Sequence, residues 1–339
     1  MREGGVFNMD IMESTYAKAK ANLKKIAFPE ATEEKILRAA RQAMDEGLCV
    51  PYLVGDPEAI GNAAKGNDIS LDGMNIVDGT DIAYRDTTIG EYRKDHQLLS
   101  AKSLALRCTD PMYFALILQA IGRVDIMFSG LVHSTGDVVL AGQVIVGLKE
   151  GIKTPSSVGI FQIPGYEGSE GQYLAFGDSA VCANPDAEEL ASIAIATCDT
   201  VKSLVGWEPR CALLSFSTDG SADHPLVQKI VEAKRIANQL RPDLKIDGEF
   251  QLDAAINPAV AGKKVRRSSE VAGRANIVIW PDLNVGNIGV KLVQQLAHAD
   301  AYGPMLQGFA KIVCDCSRSS PVSELVGNIA MSVVRAQDA

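Results

Sequence analysis

The chain has 339 residues, 47% of them apolar and 22% charged, with a formal net charge of −9. That length exceeds what one hydrophobic core usually organises, and the acidic balance argues against a broad nucleic-acid-binding face. No apolar run reaches transmembrane length and the polar N-terminus lacks a secretory h-region, so a cytoplasmic protein without a membrane partner is expected.

In chain order, a helix is expected near residues 10–23, followed by a strand in "KKIAFPEA". "TEEKILRAARQAMDEG" reads as a helix with Thr32 as N-cap, acids in the first turn and Gly47 at its end. "CVPYLVG" is a second strand. "DPEAI" and "TDPMYFALILQAIG" each open a helix with Asp-Pro, and "VDIMFSGLV" is a strand feeding the helix "HSTGDVVLAGQVIVGL". "KEGIKTPSS" reads as a connector, and "SVGIFQIPGYEGSEGQYLAFGDSAVCANPD" as short strands around a Gly-rich turn. Alternation then resumes with a helix to about residue 204, strand "CALLSFS", a helix over 225–240, strands "GEFQL" and "ANIVIWPD", and helix "VGNIGVKLVQQLA". Such alternation predicts α/β architecture with a parallel or mostly parallel sheet covered on both faces. "KKVRRSSE" (263–270) is a basic loop, read either as solvated surface or as a phosphate contact.

The seven cysteines are scattered. Cys314-Asp-Cys316 lacks the two-residue gap of zinc and redox motifs, so reduced, buried thiols are expected. The four histidines, His96, His133, His224 and His298, are too dispersed to propose a metal site. No G-x-G-x-x-G, G-x-S-x-G or H-E-x-x-H is present, and "GLKEGIKT" only approaches a Walker A loop.

The chemistry concentrates instead where strands end: "SGLVHST", "SFSTDGSA", "PDLNVGNIG" and "CDCSRSSP". Ligands of open α/β sheets bind beyond the carboxyl ends of strands. In "KIVCDCSRSSPVSELVGNIAM", a strand through Ile312 and Val313 meets a helix with Ser320 as N-cap and Pro321 at its first position. Leu325, Ile329 and Val333 form its apolar stripe. A helix N-terminus favours anions, and Ser317 and Arg318 lie just before it, so a phosphate-bearing ligand is indicated. His133 reads either as a loop-ordering histidine or as a ligand contact.

"GRANIVIWPDLNVGNIGVKLVQQLAHADAYGPMLQGFAKIVCDCSRSSPVSEL" resembles the C-terminal signature of the phosphate acetyl/butyryl-transferase family. "GLVHST", "LLSFSTDGSA" and "LKIDGEFQLDAA" resemble further blocks of that family in the same order. The resemblance implies two three-layer α/β/α domains, isocitrate/isopropylmalate-dehydrogenase-like, with the active site in the interdomain cleft. The expected division is 1–150 plus 304–339, and 151–303. It also implies a homodimer and the reversible reaction acetyl phosphate + coenzyme A ⇌ acetyl-CoA + phosphate. Coenzyme A, acyl phosphate and phosphate are then the small-molecule partners, with no cofactor beyond coenzyme A as substrate and no metal.

By the same resemblance, Ser317 hydrogen-bonds the thiol or the intermediate, Arg318 clamps phosphate, and Glu324 stands at the position of an aspartate base. Glu324 also reads as an ordinary first-turn acid. Asp315, Ser319, Ser320, His133, Ser134, Thr135, Ser217, Thr218, Asn287, Tyr302 and Gly303 fall in matching blocks as substrate-binding candidates. Arg93 corresponds to a family arginine or is an exposed helix charge. The family motif "HSTADTVRP" has an arginine where this chain has Leu140, and Ser-Arg-Gly-Cys is here Ser-Arg-Ser-Ser. These departures leave room for a butyryl or other short-chain acyltransferase, or for a non-catalytic acyl-CoA-binding protein.

Overall fold

The computed structural model describes residues 11–338. Its strands are β1 (Lys25–Phe28), β2 (Val50–Gly55), β3 (Asn75–Asp78), β4 (Ile126–Ser129), β5 (Ser156–Gln162), β6 (Tyr173–Gly177), β7 (Arg210–Leu214), β8 (Lys245–Phe250), β9 (Ile277–Ile279), β10 (Asp300–Gln307) and β11 (Ile312–Asp315). They form a five-stranded sheet in the order β11-β4-β1-β2-β3 and a six-stranded sheet in the order β10-β5-β6-β9-β7-β8. In the first, β1 runs parallel to β2 and β4, and β2 to β3. The second is mixed: β6, β9, β7 and β8 are parallel, whereas β5 is antiparallel to both β6 and β10.

The central strands show why sequence periodicity reads them as continuous apolar runs. All four residues of β4 are buried, as are Ile26, Ala27 and Phe28 of β1. A parallel strand covered by helices on both faces has no solvent side to make polar. Phe28 and Phe128 pack with ring centroids 5.6 Å apart. The helix Glu34–Asp45 buries Ile36, Leu37, Ala39, Ala40 and Ala43 at helical spacing, and the C-terminal helix Val322–Arg335 is buried from Leu325 onward.

By contact density the chain separates into two compact units: the described residues up to Ser134 with those from Cys316 onward, and Thr135–Asp315. The divisions expected at 150/151 and 303/304 both fall inside the second unit. There, β10 carries residues 300–307 into the second sheet by pairing with β5.

Several local expectations change. The N-cap of Glu34–Asp45 is Glu33, not Thr32, and no side chain caps that end. The C-terminal helix starts at Val322 with Pro321 as N-cap, so Ser320 lies outside it. The N-terminal helix spans Ile11–Ala21, and Asp10, where it was expected to begin, is outside the described residues. Six elements escape a periodicity reading: β3, β10 and the helices Ile82–Tyr92, Ala101–Arg107, Leu252–Ile256 and Pro258–Lys264. β3 has no fully buried residue, and Ile82–Tyr92 buries only Thr88, Ile89 and Tyr92. Neither presents a clean apolar stripe.

The long helix Ala187–Val205 has a full capping box, with the Asp186 side chain accepting from Glu189 N and the Glu189 side chain accepting from Asp186 N, both at 2.9 Å. Gly206 closes it in the left-handed region at φ 76°. Asp186→Ala should therefore cost about 1 kcal/mol, readable as a lower urea midpoint with an unchanged slope. Among the described residues, no helix is long and apolar enough to cross a membrane.

Candidate functional site

The turn after β11 is built from both ends. Cys316 N–H donates to the Ser129 carbonyl at 3.0 Å, and Ser320 N–H closes the turn on the Ser317 carbonyl at 3.0 Å. Lys35 Nζ, from the first turn of its helix, donates to the carbonyls of Arg318 (3.2 Å) and Ser320 (3.1 Å). With its carbonyls tied down, the turn leaves Ser317, Arg318 and Ser319 exposed. The Ser317 and Ser319 hydroxyls lie 2.9 Å apart. Arg318 Nη2 donates to the Val132 carbonyl at 3.2 Å, and the guanidinium makes no ion pair among the described residues. Its other donors are thus available to an anion, in the planar fork that suits phosphate.

Ser320 is buried, and instead of capping the helix its hydroxyl donates to Glu324 Oε1 at 2.7 Å. Glu324 is exposed in the first helical turn, where the helix dipole favours an anion.

His133 sits between two carboxylates. Nδ1 meets Glu30 Oε1 at 2.9 Å and Nε2 meets Asp110 Oδ2 at 3.1 Å. Two ionised acceptors require both ring nitrogens to donate, so the ring is an imidazolium. Hydrogen bonds to Asp110 and then Glu30, against the opposing effect of burial, raise its pKa to about 10. Neither ring nitrogen is left for a ligand in this arrangement. Glu30 is buried, which alone would raise its pKa, but hydrogen bonds from His133, Ser129 and Leu131 hold it down at about 2. Four consecutive backbone N–H groups, Gly130 to His133, converge on this carboxylate at 2.8–3.2 Å, with the Ser129 hydroxyl at 2.8 Å. Gly130, at φ 121°, supplies the backbone conformation that lets the loop curl.

Arg93 forms the C-cap of the helix Ile82–Tyr92. It is half-buried, and its Nε has no hydrogen-bond partner among the described residues. A partly desolvated cation with an unused donor suits an anion contact. Ser134 follows His133 and is exposed.

The other candidates belong to the second unit. Thr135 Oγ1 donates to Asp315 Oδ2 at 2.6 Å, and Leu140 is 56% exposed on the helix Thr135–Ile145. Ser217 and Thr218 are buried and occupied internally. The Ser217 hydroxyl donates to Glu249 Oε1 at 2.9 Å, and Thr218 Oγ1 accepts from Gln251 N–H at 2.9 Å. Asn287 is exposed, with Nδ2 3.4 Å from the Ser179 carbonyl, and Tyr302 Oη donates to Gln162 Oε1 at 3.2 Å. Gly303, at φ 112°, lies where an added Cβ would come within 2.9 Å of the Val158 carbonyl. In the basic loop, Arg267 is committed to Asp219 (2.9 Å) and Asp247 (2.7 Å).

Motif reading missed Glu30, Lys35, Asp178 and Glu249. Asp178, at the end of β6, is buried and accepts from Ser157 N–H, Ala180 N–H and Cys182 N–H at 3.0, 3.0 and 2.6 Å. Glu249 does the same for the loop after β7, accepting also from Gly220 N–H at 2.8 Å. Glu30 and Asp178 share a legible signal, an acid within two residues of the end of an apolar strand. The cysteines form no disulfide, and burial pushes the thiols of Cys49 and Cys108 up to about 12.

An unpaired arginine on a turn at the carboxyl edge of a parallel sheet puts the molecule in the broad class of anion-binding α/β proteins. Within it, the chain belongs to the phosphate acetyl/butaryl transferase family, whose sequence model matches residues 10–333. It is 43% identical over 335 residues to the phosphate acetyltransferase of Thermoanaerobacterium thermosaccharolyticum, covering 97% of this chain and 100% of that one. To the phosphate acetyltransferase of Clostridium acetobutylicum it is 41% identical, covering 97% and 99%. Its fold is similar to the crystal structure of a phosphotransacetylase from Streptococcus pyogenes, with a TM-score of 0.88, 35% identity and coverage of 97% and 98%. The resemblance noted in the sequence and the two-sheet α/β fold it implied are both upheld.

Proposed function

We propose that this protein is a phosphate acetyltransferase, exchanging an acetyl group between phosphate and coenzyme A by direct transfer in a ternary complex. The observation that carries the reading is Arg318, an unpaired guanidinium on a turn whose backbone is fixed by Lys35. In the forward direction the coenzyme A sulfur attacks the acetyl carbonyl carbon, a C–S bond forms, and the C–O bond to phosphate breaks. Arg318 neutralises the charge that collects on the departing phosphate. Ser317 donates to the thiol sulfur or to the tetrahedral oxyanion. A free thiol is only a few per cent ionised at neutral pH, so Glu324 serves as the acceptor of its proton. Coenzyme A enters as substrate and no further cofactor takes part. A homodimer in the cytoplasm completes the proposal.

A second reading has its own observation. Leu140 is an exposed apolar residue where the family motif carries arginine, which suits a longer acyl chain such as butyryl. An acyl-phosphate panel with free coenzyme A separates the two. Acetyl phosphate should exceed butyryl phosphate by about tenfold or more in kcat/KM, a difference of about 1.4 kcal/mol. The reverse order would establish the butyryl reading, and coenzyme A binding without turnover would eliminate both.

A further inference from the structure

We infer that Glu30 is a positioning residue for the exchange reaction, aiming Arg318 through the single peptide unit that joins Val132 to His133. The inference rests on the proposed role of Arg318 as phosphate clamp. A trans peptide is planar, with its C=O and N–H directed oppositely. The N–H end of this unit donates to Glu30 Oε1 at 3.1 Å, and its C=O end accepts from Arg318 Nη2 at 3.2 Å. One rigid plate therefore connects a buried carboxylate to the exposed guanidinium. Its tilt is not free, because the Leu131 and Val132 N–H groups just before it along the loop are spent on the same carboxylate and His133 donates to it from the ring.

Sheet packing does not demand this arrangement. A buried carboxylate is costly unless every lone pair is satisfied, and Leu or Met would fill the same volume without that cost. What the carboxylate provides is direction: successive N–H groups gathered on one point turn their carbonyls outward. The carbonyl of Val132, turned outward in this way, meets Arg318. Val132 is itself 54% exposed, so packing of that residue is not what orients the peptide.

Glu30→Gln places an amide donor among converging N–H groups and should release the peptide. The expected result is a KM for acetyl phosphate raised about tenfold, with the KM for coenzyme A held within about twofold. A merely structural loss would move both together. In an Arg318→Ala background, Glu30→Gln should change kcat/KM by less than about twofold, because the group it aims is gone. Unchanged constants in Glu30→Gln, a parallel rise in both KM values, or effects that multiply with Arg318→Ala would each overturn the inference. If Glu30→Gln does not fold, Glu30→Asp keeps the charge beside His133 but withdraws it by one methylene, and the same cycle applies with the same outcomes. Full activity in Arg318→Ala alone would instead remove the clamp itself, so the two failures are distinguishable.

Discussion

Arg318→Ala is expected to lower kcat/KM for acetyl phosphate by about 10²–10³, with little change in thermal midpoint. The guanidinium is exposed, and its one protein hydrogen bond goes to a backbone carbonyl that water can satisfy. Truncation therefore leaves no buried charge behind, and the fold has little reason to weaken. What disappears is an electrostatic partner for the phosphate, one that holds acetyl phosphate in the ground state and strengthens as charge grows on the leaving group. Steady-state kinetics in the direction of acetyl-CoA formation, beside a melting curve, would check both halves. Wild-type kinetics in this variant would eliminate Arg318 as the clamp, whatever the identity of the acyl group.

His133→Leu is expected to do the opposite, costing stability first. It leaves Glu30 buried without its cation, and removing one member of such a pair costs about 3 kcal/mol, or roughly 6–12 °C in melting temperature. The pH dependence should change as well. Hydrogen bonds to Asp110 and Glu30 raise the His133 pKa from 6.5 to about 10 in the folded protein. Its contribution is therefore complete below about pH 6.5 and is lost as pH rises through about 10. Glu30 behaves in the mirror sense, contributing above its ordinary value of 4.5 and losing that contribution as pH falls towards about 2. Urea melts of the wild type should thus show falling stability from pH 7 to pH 9.5. His133→Leu should flatten that slope, and an equally steep slope in the variant would rule out His133 as its source.

Most of the frame could be read from sequence because buried parallel strands and amphipathic helices announce themselves. "VDIMFSGLV" and "EKILRAARQAMD" could hardly be anything else. Elements that escaped were those without a buried face, such as β3, and β10, whose Gly303-Pro304 breaks any alternation. The site divides in the same way. Ser317 and Arg318 were legible because the exposed turn between strand and helix is contiguous in sequence. Glu30 was not, since it acts on residues about a hundred positions away and only the closure of β1 against β4 brings them together. Ser217 and Thr218 looked like ligand donors for the converse reason. The Ser217 hydroxyl is spent on Glu249 and the Thr218 hydroxyl on the Gln251 N–H, partners more than thirty positions away that sequence proximity does not reveal.

Three of the loops that leave strand ends are wrapped around a carboxylate of the chain itself, Glu30, Asp178 or Glu249. Where many α/β proteins leave such a hollow vacant for an incoming anion, here the polypeptide has furnished its own tenant. Each of these loops is consequently shaped before any visitor arrives, and recognition by any of them falls to side chains projecting from it. A redesign of the proposed phosphate clamp can therefore work at a side chain such as Ser319 while the main chain beneath keeps its path.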